Sequence, residues 1–365
     1  MNPQRRRTLI TIAAASTLAL TGPLQAQAQT DDTTYVGMGD SYSAGVGTYA
    51  PTDDCYRSPF GYPVLLAQRE GLQLNYQACS GATTGDVTNN QVGALTTATD
   101  YVTMTIGGND VGFADVITEC AQPGWISNCR GAISDARTIL NQRMPSRYNS
   151  LFGTIGDRAP NADVVIGGYP RLFNGEDCNL FTFFSGSEMS RLNSATDELD
   201  NLIRSTSTNA GFDYVDPRGP FIGHAVCDDP EWINGLSFPI IESYHPNRAG
   251  NVAYANVFQP ALSSPTSSST STSPQRSRSL AGTEEAETMT SPEREDPRVM
   301  AQYVLGMQLD SPANLKRAKA AGINPKQIQK ITKDLRSNNS KKITKATEKL
   351  QRFDERYEKK KERDN

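Results

Sequence analysis

Short β-rich stretches alternate with helical stretches five times between residues 33 and 262, and this alternation limits the fold most. The predicted strands cover residues 33–38, 72–79, 101–106, 163–166 and 212–215. Apolar side chains recur at helical spacing in 59–71, 130–157, 189–205 and 248–262, while 84–97 is helical or irregular. Such alternation predicts an α/β fold in which a parallel five-stranded sheet has helices on both faces.

Glycine-rich polar turns follow three of these strands. Gly39-Asp40-Ser41 ends the first strand, Gly81 follows the second, and Gly107-Gly108-Asn109-Asp110 ends the third. In a parallel sheet, chemistry collects beyond the carboxyl ends of the strands. The three turns should therefore meet at one edge of the sheet, here called the rim, where the carboxyl ends of the strands lie. Ser41 is the candidate nucleophile at this rim. Asp40 is better suited to accept a hydrogen bond that anchors the turn than to act as a catalytic acid.

A serine nucleophile needs a base, and the chain has only two histidines, His224 and His245. His245 stands at the start of the last helix of this region, before Pro246, which fixes the local backbone. Glu242, three positions earlier, can reach and orient its imidazole. His224 lies close to Cys227, which suits a structural or substrate-rim role. The sequence therefore favours His245 as the general base.

Acyl transfer also needs hydrogen-bond donors directed at the developing oxyanion. The backbone N–H groups of Ser41 and Gly81 and the side-chain amide of Asn109 are the candidates. Each has an ordinary alternative as a turn residue. Their combination with a serine and a histidine at the same rim favours the catalytic interpretation.

These blocks resemble those of the SGNH (GDSL) hydrolases, in the same order and at similar spacing: Gly39-Asp40-Ser41, Gly81, Gly107-Gly108-Asn109-Asp110 and His245-Pro246. The resemblance covers about residues 33–262 and is strongest to secreted bacterial lipases, esterases and phospholipases A with three disulfides. It implies a flavodoxin-like α/β/α sandwich, a Ser41 nucleophile, a His245 base, and an oxyanion hole of Ser41, Gly81 and Asn109. Many relatives have aspartate where this chain has Glu242. Glu242 is either a triad member or the donor of a main-chain carbonyl to His245.

Six cysteines lie in the same region: Cys55, Cys79, Cys120, Cys129, Cys178 and Cys227. An even number in an exported protein indicates disulfides, although six cysteines allow 15 connectivities. Sequential pairing is the simplest hypothesis. A zinc site competes weakly because the chain has no C-x-x-C pair and no cysteine–histidine cluster.

The N-terminal 28 residues have the features of a signal peptide. Arg5-Arg6-Arg7 precedes the apolar run Leu9 to Leu20, and Ala26-Gln27-Ala28 resembles an A-x-A cleavage signal. The apolar run is too short for a transmembrane helix. We therefore expect export with cleavage after Ala28, and an extracellular protein.

Charge divides the rest of the chain into two modules. Residues 31–262 carry a net charge of −14 and residues 263–365 a net charge of +7, and the first lysine of the chain is Lys316. Residues 263–280 are rich in serine, threonine and proline, and residues 281–296 are acidic, which predicts a disordered linker. Residues 297–365 then show helical spacing, so a separate basic helical segment is expected.

The expected reaction is hydrolysis of carboxylic esters, with lipids as the favoured substrates. The aromatic segment Leu180-Phe181-Thr182-Phe183-Phe184 would suit acyl chains if exposed and is ordinary core if buried. An acetyl-carbohydrate esterase and a surface-binding protein with a vestigial hydrolase domain are the alternatives. We expect a monomer with no metal or organic cofactor. The basic tail could contact cell wall or membrane, and no nucleic-acid partner is expected.

Overall fold

A computed structural model describes residues 33–262 and 296–364. The predicted signal peptide and nearly all of the predicted linker lie outside these ranges. Five parallel strands form one sheet in the order β2-β1-β3-β4-β5. The strands are β1 (Thr34–Gly39), β2 (Gln73–Tyr76), β3 (Tyr101–Thr105), β4 (Asp163–Gly167) and β5 (Asp213–Val215). The predicted parallel five-stranded sheet is confirmed.

Helices lie between and after the strands. The first region contains α1 (Ser41–Ala44), α2 (Tyr62–Glu70), α3 (Thr84–Asp86), α4 (Phe113–Cys120), α5 (Cys129–Gln142), α6 (Met144–Arg158), α7 (Gly186–Asn209) and α8 (Arg248–Leu262). Irregular helical turns cover residues 87–94. Among the described residues, no helix is both long and apolar enough to cross a membrane.

The sheet is buried on both faces by these helices. Val36, Val102 and Val164 on one face and Tyr35 and Val165 on the other are each 4% exposed or less. Such continuous apolar runs are typical of parallel strands covered on both sides. The register pairs Gly39 with Thr105, so the turns that follow β1 and β3 begin at the same level of the sheet.

Two helical predictions were wrong in detail. The single helix expected over 130–157 is two helices, α5 and α6, that meet at Arg143 (φ −118°). Pro145 at the second position of α6 explains the break, because its ring cannot continue a preceding helix. Helix α4 had not been predicted. Its eight residues follow the glycine turn after β3, where Gly112 adopts φ +77°.

The cysteines form three disulfides, Cys55–Cys79, Cys120–Cys129 and Cys178–Cys227, which is the sequential pairing. The second of these joins the end of α4 to the start of α5.

The C-terminal residues form four helices, α9 (Pro297–Gly306), α10 (Pro312–Ala320), α11 (Pro325–Leu335) and α12 (Ser340–Asp364), here called the C-terminal module. Their buried side chains share one hydrophobic cluster with Trp125, Ile126, Phe181, Phe183 and Leu236 of the first region. The predicted separate helical segment is therefore present, and it packs against the first region through this cluster.

The aromatic segment 180–184 is core. Phe181 and Phe183 are 6% and 4% exposed and lie in the cluster shared with the module. Phe184 packs against Phe173 and Tyr244. An exposed acyl-binding role for this segment is therefore excluded, because its rings are covered by other parts of the chain.

Candidate active site

Ser41 is the first residue of α1, directly beyond β1. Asp40 caps this one-turn helix by accepting a hydrogen bond from the Tyr42 N–H at 3.1 Å. The hydroxyls of Thr105, at 2.9 Å, and of Tyr169 also donate to the Asp40 carboxylate. Burial raises the pKa of this carboxyl to about 6. Asp40 therefore anchors the turn, as the sequence suggested, and does not contact the Ser41 hydroxyl.

Gly39 permits this turn. Its φ is +119°, and a Cβ at this position would lie 2.3 Å from the Thr105 carbonyl oxygen. The side chain of Gln91 holds both polar groups of Gly39, accepting from its N–H at 2.8 Å and donating to its carbonyl at 2.9 Å. The backbone before Ser41 is thus fixed on both sides, and any side chain at residue 39 would displace it.

His245 lies directly opposite Ser41, with its Nε2 atom 2.8 Å from the Ser41 Oγ atom. Its Nδ1 atom is 2.8 Å from the carbonyl oxygen of Ser243. A carbonyl can only accept, so the proton of the neutral imidazole resides on Nδ1. Nε2 is then left to accept the hydrogen of the Ser41 hydroxyl, which is the geometry that activates a serine.

Glu242 does not contact His245. Its carboxylate accepts hydrogen bonds from the backbone N–H groups of Gly47 at 2.6 Å and Tyr49 at 3.4 Å, and its carbonyl accepts from the side chain of Asn234. Neither alternative given for Glu242 therefore fits: the carbonyl that orients the imidazole is that of Ser243. The chain turns between residues 242 and 245, so the side chain three positions before the histidine points away from it.

Replacement of Glu242 by glutamine should leave catalysis nearly intact. The glutamine oxygen can still accept the Gly47 N–H, so we expect kcat/KM for a soluble ester to stay within about fivefold of wild type. The loss of a charged acceptor should cost about 1–3 kcal/mol of stability. Steady-state kinetics and thermal unfolding of the variant measure the two effects. A hundredfold loss of kcat in a folded variant would place the carboxylate in catalysis.

The three hydrogen-bond donors predicted for an oxyanion each follow a strand end. Among the described residues, the backbone N–H groups of Ser41 and Gly81 have no hydrogen-bond acceptor. The side-chain amide of Asn109 donates one hydrogen to the Ala82 carbonyl at 3.0 Å, which leaves its second hydrogen for a ligand. The rim therefore offers the donors that an oxyanion would need.

Asp110 joins the turns that carry these donors, a role that sequence analysis missed. Its buried carboxylate accepts from the N–H and hydroxyl of Thr84, at 2.8 Å and 2.7 Å, and from Arg147 at 2.9 Å. The segment after Gly81 is thereby tied to the turn that contains Asn109. The only sequence signal was an acidic residue beside Asn109, because the partners are 26 and 37 positions away.

His224 plays no part in this arrangement. Its ring stacks on Trp232 with the ring centroids 3.5 Å apart, and its Nδ1 atom lies 2.8 Å from the Pro230 carbonyl oxygen. These contacts agree with the structural role that the sequence analysis gave as one of two possibilities for His224.

An apolar pocket opens beside Ser41 and Asn109. Three helices supply its walls: Val116 and Ile117 from α4, Ala136 and Leu140 from α5, and Leu192, Ala195 and Leu199 from α7. Leu172 and Pro170, in the segment after β4, complete it. Sequence analysis had not identified this pocket, because its lining comes from the inner faces of three helices that look like ordinary core.

Activity should persist well below neutral pH. Desolvation lowers the pKa of His245 to about 4, from an ordinary value near 6.5. His245 can accept the Ser41 proton only when neutral, so kcat/KM should fall as the pH drops through about 4. The test is the pH profile of a soluble butyrate ester, with circular dichroism at each pH and with Asp40→Asn to remove the nearby titration. A limb centred near pH 6.5 would show that the imidazole is solvated.

The comparisons with known proteins agree with this geometry. Residues 38–253 match the GDSL-like Lipase/Acylhydrolase family. A lipase of Streptomyces rimosus is 38% identical over 241 residues, which cover 64% of this chain and 87% of that protein. The crystal structure of phospholipase A1 from Streptomyces albidoflavus has 35% identity and a TM-score of 0.59, and 63% of this chain covers 98% of it. An extracellular lipase structure from Streptomyces rimosus has 36% identity, the same TM-score and the same coverage.

Proposed function

The chain belongs to the GDSL-like lipase/acylhydrolase family, whose members hydrolyse carboxylic esters, and we propose that it is a secreted serine lipase that acts through an acyl-enzyme. The main support for a serine mechanism is the contact between the Ser41 hydroxyl and the unprotonated nitrogen of His245. Three disulfides and the predicted signal peptide support an extracellular location.

In the proposed reaction, the Ser41 Oγ atom attacks the ester carbonyl carbon while its proton passes to Nε2 of His245. The new oxyanion accepts hydrogen bonds from the N–H groups of Ser41 and Gly81 and from the Asn109 amide. Collapse breaks the bond to the alcohol oxygen, which takes the proton from His245 and leaves. His245 then deprotonates a water molecule that attacks the acyl carbon, the bond from that carbon to the Ser41 Oγ atom breaks, and His245 returns the proton to Oγ as the carboxylic acid leaves. The Ser243 carbonyl holds the imidazole and stabilises its charged form in both steps.

The apolar pocket supports a lipid substrate over an acetylated carbohydrate. Its accessible surface is mostly apolar, and Ser41 is among the residues that line it. An acyl chain in this pocket would gain about 0.8 kcal/mol for each methylene removed from water. An acetyl group has no methylene to place there, so the pocket would contribute nothing to recognition of an acetyl ester.

Filling the pocket should therefore shorten the preferred acyl chain. We expect Ala195→Trp to lower kcat/KM for p-nitrophenyl palmitate by about 100-fold, since excluding three or four methylenes costs about 3 kcal/mol. The butyrate ester should change by less than about threefold. The matched control is Ala114→Trp, on the exposed face of α4.

A wild-type enzyme that strongly prefers the acetyl ester would contradict the lipid proposal and favour the acetyl-carbohydrate esterase. The absence of ester hydrolysis by folded, oxidised protein would instead favour a binding protein with a vestigial site. If long-chain esters are cleaved, phosphatidylcholine and a triglyceride compared side by side will separate phospholipase A from lipase activity. The similar phospholipase A1 structure is the reason to include the phospholipid.

A further inference from the structure

The C-terminal module lies outside the part of the chain that carries the ester chemistry. The family match ends at residue 253, and the module begins at α9, Pro297–Gly306. About 63% of this chain covers 98% of each of the two solved relatives' chains, so almost all of each solved chain is matched without the module. A complete hydrolase fold does not require it, and its surface is where an added function would lie.

One face of α12 fixes the module to the hydrolase. Ile343, Leu350 and Phe353 are buried on this face. Asp354, on the same side, accepts a hydrogen bond from the backbone N–H of Gly124 at 2.6 Å. A second contact comes from α10, where Arg317 donates to the Ile126 carbonyl at 2.9 Å. Gly124 and Ile126 connect α4 to α5, two helices that line the acyl pocket.

The opposite face of α12 is a continuous basic stripe. At 3.6 residues per turn, nine lysines and arginines fall within an arc of about 100°, and no acidic residue falls inside it. They are Lys341, Lys342, Lys345, Lys349, Arg352, Arg356, Lys359, Lys360 and Arg363. All are exposed except Lys349, which is half-buried. From Lys341 to Arg363 the stripe is about 33 Å long at 1.5 Å per residue.

Neighbouring acidic residues leave this charge largely uncancelled. Asp354 and Glu358 are buried on the inner face. Glu348 and Glu355 lie at one edge of the stripe, and Glu348 is 3.8 Å from Arg352, at the limit of an ion pair. Lys349 and Arg356 both lie against the ring of Phe353, at 5.5 Å and 4.9 Å from its centroid, which orders part of the stripe.

We propose that the α12 stripe binds the surface of an anionic phospholipid bilayer and holds the enzyme at its substrate. This rests on the proposed lipid function. A straight row of long cationic side chains matches a plane of phosphate headgroups, and each such charge near an anionic membrane contributes about fivefold to binding. The apolar face of α12 is buried in the cluster shared by α9, α11 and the hydrolase region, so the contact is electrostatic and does not involve insertion. Residues 31–262 carry a net charge of −14, so an anionic membrane would repel the hydrolase region. This repulsion would orient the protein with the C-terminal module toward the membrane.

The stripe itself lacks the features that read nucleic acid. It contains no aromatic side chain to stack on bases and no asparagine or glutamine to recognise base edges. Nucleic acid is therefore an outcome to be excluded by the experiment.

The test measures sedimentation of the full chain with vesicles, in a Ser41→Ala background so that the lipid is not hydrolysed. Vesicles contain phosphatidylglycerol mixed into phosphatidylcholine, or phosphatidylcholine alone. We expect binding only to the mixed vesicles, with loss as NaCl rises from about 0.05 M to about 0.5 M. Lys345→Glu/Arg352→Glu/Lys359→Glu should weaken that binding by at least about 100-fold.

The matched control reverses three exposed lysines on α11, Lys326→Glu/Lys330→Glu/Lys333→Glu, for the same change in net charge. Its binding should fall by less than about tenfold. With Ser41 restored, both triple variants should hydrolyse a soluble butyrate ester at the wild-type rate, which separates this proposal from the catalytic one. Equal losses in the two triple variants, equal binding to both vesicle types, or tighter binding to a short DNA duplex would overturn it.

Discussion

Replacing Ser41 with alanine lowers kcat for a p-nitrophenyl ester by about 10⁵- to 10⁶-fold, the largest effect expected of any single change in this chain. The Ser41 hydroxyl donates to Nε2 of His245 at 2.8 Å, so it supplies the attacking oxygen and its proton has an acceptor already in place. Without that oxygen no acyl-enzyme forms. Any remaining rate comes from water attacking a carbonyl that is still polarised by the donors at the rim.

The same loss is expected for His245→Ala, and the double variant should be no slower than either single variant. Residues that act as one unit are not additive, because removing one member already disables the other. The measurement is burst-phase and steady-state kinetics, with circular dichroism and thermal unfolding to confirm the fold. Losses that multiply in the double variant would mean that Ser41 and His245 act independently, which contradicts the proposed mechanism.

Asn109→Ala should lower kcat by about 10²- to 10³-fold, the second largest effect, while KM changes little. We expect kcat to fall without a change in KM because the oxyanion exists in the transition state and not in the bound ester. Asn109 offers one amide hydrogen to the substrate while the other is held by the Ala82 carbonyl at 3.0 Å. Steady-state kinetics with a soluble ester separate the two constants.

Asn109→Asp is the companion variant, because it keeps the size of the side chain and replaces the donor with a negative acceptor. It should lose at least as much activity as the alanine variant. If the aspartate variant retained the wild-type rate, the Asn109 amide could not be an oxyanion donor, and the two backbone N–H groups would have to suffice. Thermal unfolding of both variants shows whether loss of the Ala82 contact has loosened the turn.

Local pattern was sufficient for the sheet and for most of the candidate site. Ser41, Gly81 and Asn109 each follow a strand end, and in a parallel sheet those ends share one edge, so the sequence predicts that the three residues lie at the same edge. His245 could be predicted because only two histidines exist and one of them stands near a cysteine. The helical segments of the C-terminal module could be predicted from their caps and apolar spacing, as at Ser311-Pro312 and Asn324-Pro325.

The partner of His245, the apolar pocket and the burial of the aromatic segment depend on contacts between residues that are distant in sequence. Such contacts cannot be recognised from the pattern of neighbouring residues. The partner of the His245 Nδ1 atom is the Ser243 carbonyl, because the turn directs Glu242 toward Gly47, 195 positions away. The apolar pocket is lined by faces of α4, α5 and α7, and each face alone is indistinguishable from core. Phe181 and Phe183 are covered by helices more than 100 residues later in the chain.

The sequence by itself determined the order of the five strands, the disulfide-rich acidic hydrolase region, the proposed nucleophile and base, and the basic character of the C-terminal helices. Periodicity, turn chemistry and charge are properties of neighbouring residues, so they can be recognised without a structure. Only the tertiary structure decided which carbonyl contacts His245, where the apolar pocket lies, and which face of α12 remains outside. These depend on how separate elements pack, and packing is set by the shape of the whole chain.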